Sequence, residues 1–595
     1  MKYGKHVLCL LLALAMAFGL NAALAEEFTG TAEGYHGDVT VTLTLENGVI
    51  TAATAVGEGE TQGIGTKALE QMPADMVARN SVTVDTVASA TFTSNAVLAA
   101  AAAALKAAGL SPEDLVANEV EDEAVVVEPT FDNPDVIIVG AGSTGVNAAI
   151  AAADKGAKVY LIEKNDAVGG SICYAGGTTS AAGAQMQIDA GLEDSPENFA
   201  ADIVRMGGGT NVEELTRKHT ENAAAAVDWL DSLGADFGDR EPKMSSSYDA
   251  FNVAREYRVQ GGGKAIMALI EPLLMERVEA GQVCLMLNTE VADIIVEDGA
   301  VKGVVLADGR EFRAKATVLA TGGYGHNEDL LHEYNYENVL TMAPSFVTGD
   351  GYRFALKAGA KLNNMDYLPA YPGALPVGSF DVTTTAVVKG YQGAIWVNTE
   401  GQRIVNEYDA LDSERKAAYA SAPHNLVYML LTQEMRDTQS SILSRDEGWA
   451  KFDELLAAEN CVYKADTIEA LAEKIGVDAA ALAATVEAYN QDVEAGNDSA
   501  FGRPAESMMK LEGPFYAVKT CPYVMLTKGG PLMTPNAEVI NEAGEVIPGL
   551  YEGGELAGGA NIGGSANIGG LANTSTIVWG KIAGESAAEY ALKQD

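Results

Sequence analysis

The apolar residues of the chain follow two clear patterns, and each predicts a different kind of element. Residues 34–57 alternate apolar and polar side chains and are interrupted at Glu46-Asn47-Gly48, which predicts a β-hairpin. Farther along, the apolar run Val136–Val139 predicts a buried parallel strand, and the alanine-rich residues after Gly145 predict a helix. The chain therefore combines an N-terminal β-rich segment with the beginning of an α/β domain.

A pattern of helical period lies in the C-terminal half, from Ile468 to Gly496. Within it, Gly476 is a typical helix stop and Asp478 is a typical N-cap of the next helix. This segment is therefore predicted to form two successive helices.

A glycine motif follows the predicted strand at Val136–Val139. Gly140, Gly142 and Gly145 permit a tight turn and a close approach of the backbone to a pyrophosphate, and the helix N-terminus attracts that anion. A second strand ends at Glu163, where a carboxylate can accept hydrogen bonds from ribose hydroxyls. The unit predicts a dinucleotide site.

Four further segments identify the kind of dinucleotide enzyme. They are GGSICYAGG (169–177), TVLATGGYG (317–325), TGDG (348–351) and GLYEGGE (549–555). Together with the glycine motif they resemble the fumarate reductase and succinate dehydrogenase flavoprotein family, from about Asp135 to about Tyr590. The resemblance implies non-covalent FAD, contacted by Gly140, Gly142, Thr144, Gly145, Glu163, Gly170, Ser171, Ile172, Gly176, Gly177, Asp350 and Glu555, with Val291 meeting the adenine through its backbone.

The N-terminal region from Gly30 to Leu105 resembles the FMN-binding domain that carries its flavin on a threonine. The segments Glu60–Pro73 and Val84–Val97 match the two motifs of that domain. The resemblance implies that a flavin transferase esterifies the FMN phosphate onto Thr91 as a phosphoester. Thr93 and the serine after it can cap the following helix near that phosphate, although an ordinary Ser/Thr helix cap is the alternative.

The first residues of the chain indicate export. A basic start precedes the apolar run Val7–Leu20, and Ala23-Leu24-Ala25 is a typical cleavage site, so residues 1–25 are predicted to be a signal peptide, with an uncleaved anchor as the alternative. The remaining four cysteines show no haem, iron–sulfur or zinc spacing. Electrons must then reach FAD through another carrier, and the FMN domain fits that need.

The charge of the chain limits its partners. With 39 Lys+Arg against 83 Asp+Glu, the formal net charge is −44. Such a chain is a poor ligand for nucleic acid, and its long-range field opposes anionic substrates unless local cations reverse it.

The resemblance also locates the positions that would bind a dicarboxylate, and the chain departs from the family at each of them. Tyr371 and Leu526 stand where the two substrate histidines would be, Leu411 replaces the proton-donating arginine, and Asn567 replaces the carboxylate-binding arginine. Burying a dianion without its cations would cost several kcal/mol or more. A neutral or singly charged enone-like or enoate substrate is therefore predicted.

Candidates for the proton donor follow from the same segments. Tyr371 and Tyr408 can hydrogen-bond a carbonyl and donate a proton. Lys389 stands in for the arginine of the family's proton relay and would act as a relay or carbonyl polariser. Asp409 and Asp412 stay as alternatives if burial raises the pKa of either carboxyl.

These observations predict an extracytoplasmic reductase that passes electrons from a membrane or soluble donor through FMN to FAD and on to an activated C=C bond of a small acceptor. Two alternatives stay open: FAD-linked dehydrogenation of a ketone-bearing, steroid-like compound, and a non-catalytic electron relay. The predicted fold is α/β, a Rossmann-like doubly wound FAD domain with an inserted α+β capping domain, preceded by a small α+β FMN-binding domain. The predicted bounds are 1–25 for the signal peptide, 27–110 for the FMN domain, 111–131 for an acidic linker, 132–367 and 523–595 for the FAD domain, and 368–522 for the cap.

Overall fold

The computed structural model describes residues 25–34, 37–46, 48–60, 65–84, 87, 91–118, 128–244, 251–334, 337–367, 370–410, 412–443, 448–565 and 567–594. The side chains of residues 91, 92, 113, 412 and 413 are outside this description. The predicted signal peptide up to residue 24 and the predicted substrate position Leu411 lie outside the described residues. The chain divides into two compact units, residues 1–125 and residues 126–595.

The first unit is a three-stranded antiparallel sheet packed on two helices. Its elements are β1 (Glu26–Glu33), β2 (Asp38–Glu46), β3 (Val49–Val56), α1 (Gly65–Arg79) and α2 (Thr91–Ala107). Strands β2 and β3 form the predicted hairpin, in the order β1-β2-β3. The alternation of β2 buries Val39, Val41 and Leu43 completely. At Gly30 a Cβ atom would lie 2.1 Å from the carbonyl oxygen of Ala100, so β1 and α2 pack in direct backbone contact.

The second unit begins with the first part of the predicted FAD domain. Its strands are β4 (Val136–Val139), β5 (Val159–Ile162), β6 (Thr178–Ser180), β7 (Glu256–Arg258), β8 (Val283–Met286), β9 (Val291–Glu297), β10 (Ala300–Leu306), β11 (Glu311–Arg313), β12 (Ala316–Leu319), β13 (Leu340–Thr341) and β14 (Leu362–Asn363). Its helices are α3 (Ser143–Asp154), α4 (Gln185–Asp189), α5 (Pro196–Met206), α6 (Glu213–Ser232), α7 (Gly262–Glu279), α8 (Glu328–Tyr334) and α9 (Asp350–Lys357), with a 3₁₀ turn at Gly170–Tyr174.

The predicted cap follows, and the chain then returns to the first domain. The cap contains β15 (Tyr371–Ala374), β16 (Ile395–Asn398), α10 (Asp412–Ser421), β17 (Val427–Thr432), α11 (Gln433–Thr438), α12 (Gly448–Ala457), β18 (Val462–Ala465), α13 (Ile468–Ile475), α14 (Ala479–Ala495) and β19 (Phe515–Val524). The returning segment contains β20 (Gly530–Pro531), β21 (Glu538–Ile540), β22 (Val546–Glu552), α15 (Gly559–Gly563) and α16 (Leu571–Leu592).

The central sheet of the FAD domain has the order β21-β22-β12-β4-β5-β8. Strands β22, β12, β4, β5 and β8 run parallel, and β21 is antiparallel at the edge. Because α3 and α16 pack on one face and the β9–β11 meander and α9 lie on the other, the sheet is covered on both sides. This arrangement confirms the predicted α/β fold class.

The cap is organised around β19, the longest strand of its sheet. Strands β17, β15 and β18 pair with β19 antiparallel, and β16 extends the sheet beyond β17. Gly476 ends α13 in the left-handed conformation, and the Asp478 carboxylate accepts a hydrogen bond of 2.7 Å from the backbone of Ala481 in α14. The predicted pair of helices is therefore confirmed. Among the described residues, no helix combines the length and the apolar character that a membrane crossing requires.

Candidate active site and flavin sites

A cleft with an empty volume of about 870 Å³ opens at the carboxyl ends of β4, β5 and β12. Ligands of open α/β sheets bind at this edge. Most of the residues that the sequence assigned to FAD line the cleft: Gly140, Gly142, Thr144, Glu163, Gly170, Ser171, Ile172, Val291, Asp350 and Glu555. Gly145, Gly176 and Gly177 are outside its lining. The sequence interpretation missed the lining residues Lys164, Thr289, Phe346 and Phe354, which carry no motif of their own.

The three glycines of the motif have different structural roles. A Cβ at Gly145 would lie 1.8 Å from the carbonyl oxygen of Gly140, and a Cβ at Gly140 would lie 2.5 Å from that of Ala320. A Cβ at Gly142 would meet nothing closer than 3.7 Å, and this residue is the N-cap of α3. Gly140 and Gly145 thus allow backbone packing, whereas Gly142 leaves free space in front of the helix N-terminus, as the pyrophosphate of FAD requires.

This difference gives a test that separates folding from cofactor binding. Gly145→Ala is expected to lower the free energy of unfolding by about 1–3 kcal/mol, because its methyl group clashes with rigid backbone. Gly142→Ala should change the stability of the FAD-free protein by less than about 0.5 kcal/mol, yet weaken FAD binding at least about tenfold by filling the pyrophosphate position. Denaturant titration and flavin fluorescence measure the two effects. Tight FAD binding by Gly142→Ala would mean that the pyrophosphate lies elsewhere.

Glu163 is held at the end of β5 by its neighbours. Its Oε2 accepts a hydrogen bond of 2.7 Å from the backbone of Ala141, and its Oε1 accepts bonds of 2.9 and 2.8 Å from the backbone and side chain of Asn165. Burial raises the pKa of this carboxyl, and those hydrogen bonds partly offset the effect. A carboxylate has about four acceptor positions, so Glu163 keeps capacity for a ribose hydroxyl.

An ion pair fixes a second acid at the cleft. The Lys164 ammonium group donates hydrogen bonds of 2.8 Å to the Asp350 carboxylate and to the Thr348 hydroxyl. Burial opposes the ionisation of Asp350, but the hydrogen bond and charge of Lys164 leave its pKa below the ordinary value. Asp350 is therefore ionised at neutral pH and acts in the cleft as a hydrogen-bond acceptor.

Two acids near the end of β22 have raised pKa values, in contrast to Asp350. Glu555 accepts hydrogen bonds of 2.8 and 3.1 Å from the backbone and hydroxyl of Thr527, and burial raises its pKa. Glu552 is fully buried and has no hydrogen-bond partner among the described residues, and burial raises its pKa well above the ordinary value. Burial of this kind favours the neutral form of a carboxyl, which can donate a proton in a hydrogen bond.

A cluster of polar side chains joins the cap to the FAD domain. Tyr371 lies in β15 of the cap, and Asn567 lies between α15 and α16 of the FAD domain. The Asn567 side-chain amide donates a hydrogen bond of 2.7 Å to the Tyr371 hydroxyl oxygen. The Tyr371 ring stacks on Tyr523 with centroids 5.6 Å apart, and the Lys416 Nζ atom lies 4.1 Å from the Tyr371 centroid. Tyr371, Asn567 and Lys416 therefore meet at one place.

The two copies of the sequence ANIGG in the returning segment have different roles. Asn561, in the first copy, is fully buried, and its side chain bonds the carbonyls of Ala557 and Pro531. Asn567, in the second copy, is half-buried and bonds Tyr371. Asn567 rather than Asn561 therefore belongs to the cluster with Tyr371.

The other predicted donor, Tyr408, and the predicted relay, Lys389, lie in a different setting. Lys389 is exposed, and the backbone of the next residue donates a hydrogen bond of 3.0 Å to the Tyr408 carbonyl. The half-buried Tyr408 has its ring 5.7 Å from the Arg503 guanidinium. Arg503 and Arg403 share the buried Glu407 carboxylate, so Tyr408 borders an ion-pair network that holds the cap together.

Several remaining substrate positions are apolar or exposed. Leu526 is half-buried, and Asp409 is exposed. The side chain of Asp412 is outside the described residues. The sequence interpretation missed Lys416, which follows Leu411 by five residues; the signal was the Arg415-Lys416 pair on a predicted cap segment.

The two motif segments of the FMN domain also meet. The Thr93 hydroxyl donates a hydrogen bond to the Glu60 carboxylate, and the backbone of Val87 donates a bond of 3.1 Å to the Ser94 hydroxyl. Thr93 and Ser94 are both buried. These hydroxyls thus tie the first turn of α2 to the preceding segments. Helix α2 begins at Thr91, whose side chain is outside the described residues, so its role stays a prediction.

Comparisons with known proteins agree with both predicted flavin-binding domains. Residues 135–570 match the family model of the FAD binding domain, and residues 34–106 match that of the FMN-binding domain. Fumarate reductase (cytochrome) of Shewanella frigidimarina is 33% identical over 81% of this chain and 81% of its own length. Urocanate reductase of Eggerthella lenta is 31% identical over 95% of this chain and 93% of its own length.

A solved structure shows the same fold. The open conformation of a flavocytochrome c3 fumarate reductase superimposes with a TM-score of 0.55 at 29% identity, over 80% of this chain and 82% of that one. The predicted family and the predicted cofactors, FAD and FMN, are thereby confirmed. The chain belongs to the FAD-binding family that includes the flavocytochrome fumarate reductases, and it is an FAD-dependent oxidoreductase with an FMN-binding domain at its N-terminal side.

Proposed function

We propose that this protein reduces an activated C=C bond in a small organic acceptor that carries one carboxylate or one ketone, and that fumarate is not its substrate. The observation that carries the proposal is the hydrogen bond between Tyr371 of the cap and Asn567 of the FAD domain. The bond supports Tyr371 as the proton donor, because Tyr371 and Asn567 are the positions at which the resemblance expects a substrate histidine and an arginine. The relatives named for fumarate and urocanate reduction support the reaction class.

The substrate class follows from the charges at this junction. Tyr371, Leu526 and Asn567 are neutral at positions where the resemblance places two histidines and an arginine. A dianion transferred here from water would lose its hydration without gaining the cations that offset that loss. Lys416 supplies only one positive charge near Tyr371, which is too few to offset both charges of a dianion.

The direction of the Asn567–Tyr371 hydrogen bond determines what Tyr371 can do. Because the Asn567 amide is the donor, the Tyr371 oxygen is the acceptor in this bond, and this bond does not use the proton of the Tyr371 hydroxyl. Tyr371 is then oriented to hydrogen-bond the acceptor and to give its proton to one alkene carbon. Bound FAD would supply a hydride to the other carbon. The cap that carries Tyr371 would exclude water while the proton moves.

We further propose how electrons arrive. A flavin transferase attaches FMN to Thr91, and the FMN domain carries electrons from a membrane or soluble donor to FAD. The charged start, apolar run and alanine-flanked cleavage site of residues 1–25 support an extracytoplasmic location. The match of residues 34–106 to the FMN-binding domain supports the electron route.

Anaerobic reoxidation tests the proposed function. The flavinylated protein is reduced with a viologen and mixed with matched panels of dicarboxylates, monocarboxylate enoates and neutral enones, and flavin absorbance is followed. Rapid reoxidation by an enoate or enone, with fumarate inert, is the expected result. Fast turnover of fumarate would contradict the proposed substrate class. If no alkene reacts while a partner protein is reduced, the protein is an electron relay.

A further inference from the structure

The cluster of Tyr371, Asn567 and Lys416 contains a cation, Lys416, at a position to which the family resemblance assigned no role. Lys416 lies in α10, and its Nζ atom is buried at 4.1 Å from the centroid of the Tyr371 ring. The Arg415 guanidinium donates a hydrogen bond to the carbonyl of Ala410, which fixes the beginning of the helix that presents Lys416. A positive charge thus faces the ring of the residue whose hydroxyl Asn567 orients.

The position of this ammonium group is unusual on physical grounds. Lysine ammonium is compact and strongly hydrated, so it normally stays at the surface while only its aliphatic stem is buried. Here the charged end itself is buried. The ring of a neutral tyrosine attracts a cation only modestly, whereas a phenolate in a site of low dielectric attracts it strongly. The ammonium group therefore stabilises the ionised form of Tyr371 more than it stabilises the neutral form.

We propose that Lys416 is a positioning residue for proton transfer, whose ammonium group stabilises the phenolate that Tyr371 becomes when it protonates the acceptor. This inference rests on the proposed function. In the step, the O–H bond of Tyr371 breaks, its electron pair stays on the phenolate oxygen, and a C–H bond forms at one alkene carbon. The C–H bond at the other alkene carbon would form from a hydride that bound, reduced FAD supplies with both electrons, and a proton from solvent then restores the Tyr371 hydroxyl.

Lys416 thereby supplies the positive charge that the proton-donating arginine of the family would supply, and Tyr371 supplies the proton. Leu411 occupies that arginine's position and cannot carry charge. Lys416 lies five residues farther on, so it comes from the same segment of the cap. The single positive charge of Lys416 acts on a tyrosine that is neutral before it gives up its proton. This arrangement is consistent with an acceptor that carries one carboxylate or one ketone.

The cap contains a second pair of the same kind, which provides a matched control. The Lys464 ammonium group lies 4.9 Å from the centroid of the Tyr516 ring, and it donates a hydrogen bond of 3.3 Å to the Gln433 side chain. Lys464 is half-buried on β18 and belongs to a different part of the cap sheet. Its loss removes a lysine–tyrosine contact of similar geometry without touching Tyr371 or Asn567.

The experiment compares Lys416→Met, Lys416→Arg and Lys464→Met as flavinylated holoproteins. Each is reduced anaerobically, and its reoxidation is timed with the best enoate or enone and, separately, with ferricyanide, which takes electrons without forming a C–H bond. Lys416→Met is expected to slow reoxidation by the alkene about 30- to 300-fold, with little change in the acceptor concentration for half-maximal rate. Its rate with ferricyanide should stay within about twofold of wild type, and its solvent deuterium isotope effect should rise.

The other two variants decide between an electrostatic and a merely structural role. Lys416→Arg keeps the positive charge and should retain the alkene rate within about fivefold, and Lys464→Met should retain it within about twofold. An unchanged alkene rate in Lys416→Met would overturn the inference, and so would an equal loss with the alkene and ferricyanide. The proposed function fails separately if the wild-type protein reduces no alkene at all, which would overturn the inference with it.

Discussion

Replacing Tyr371 with phenylalanine is expected to slow alkene reduction by about 100- to 10,000-fold, the usual contribution of a positioned general acid. The substitution removes the hydroxyl that Asn567 orients and leaves the ring in its place against Tyr523. Because Tyr371 is not among the residues that line the FAD cleft, the FAD content should not change. Stopped-flow reoxidation by the best enoate or enone measures the loss, and ferricyanide reports whether the flavin still gives up electrons.

Tyr523→Phe is the matched control for this prediction. It removes a hydroxyl from the ring stacked on Tyr371 but keeps Tyr371 and its bond to Asn567. We expect its alkene rate to stay within about threefold of wild type. If Tyr523→Phe loses activity and Tyr371→Phe keeps it, the proton donor has been assigned to the wrong ring. If both variants keep full activity, Tyr408 becomes the next candidate.

Thr91→Ala is expected to abolish covalent FMN entirely, because the phosphoester proposed for this position needs the threonine oxygen. The intact mass of the protein, produced together with its flavin transferase, should equal that of the bare polypeptide, and flavin fluorescence in a denaturing gel should disappear. FAD should remain at the level of wild type, because the FAD site lies wholly in residues 126–595. Reduction of FAD by the physiological donor should then fail, while a viologen still reduces it.

An exposed threonine of the same unit provides the control for Thr91. Thr54 lies on the edge strand β3, and Thr54→Ala removes the same chemical group from a site outside both motif segments. This variant should carry FMN at the level of wild type. Covalent FMN on Thr91→Ala would show that another hydroxyl is the attachment site, with Thr93 and Ser94 as the nearest candidates in the same helix.

Much of the flavin-binding structure could be predicted from sequence because each of its elements is formed by contiguous residues. The strand, turn and helix from Val136 to Asp154 form a complete unit, and the clash that makes Gly145 necessary is with Gly140, five residues away. The FMN domain is similar, since its hairpin follows directly from the alternation in residues 34–57. Local sterics and periodicity act over a few residues, so a linear motif is enough to identify such elements.

The candidate active site was only partly predictable. Motif positions indicated Tyr371 and Asn567, which are 196 residues apart, but nothing in the sequence joined them by a hydrogen bond. Tyr408 was as good a donor candidate as Tyr371 in sequence, with Lys389 as a relay, yet Lys389 is exposed and Tyr408 borders the Arg503 network. Lys416 carried no motif and was missed altogether.

The sequence by itself thus determined the flavin-binding units, the family and the absence of the usual dicarboxylate groups from their expected positions. Tertiary structure alone decided which of these side chains lie together. Strand β15 carries the Tyr371 hydroxyl, helix α10 carries the Lys416 ammonium group, and the residues before α16 carry the Asn567 amide, and these three groups meet at one place. The physical reason is that backbone sterics and periodicity act between residues that are close in sequence. Electrostatic pairing depends instead on distances in space between residues that are far apart in sequence, and the sequence does not specify those distances directly.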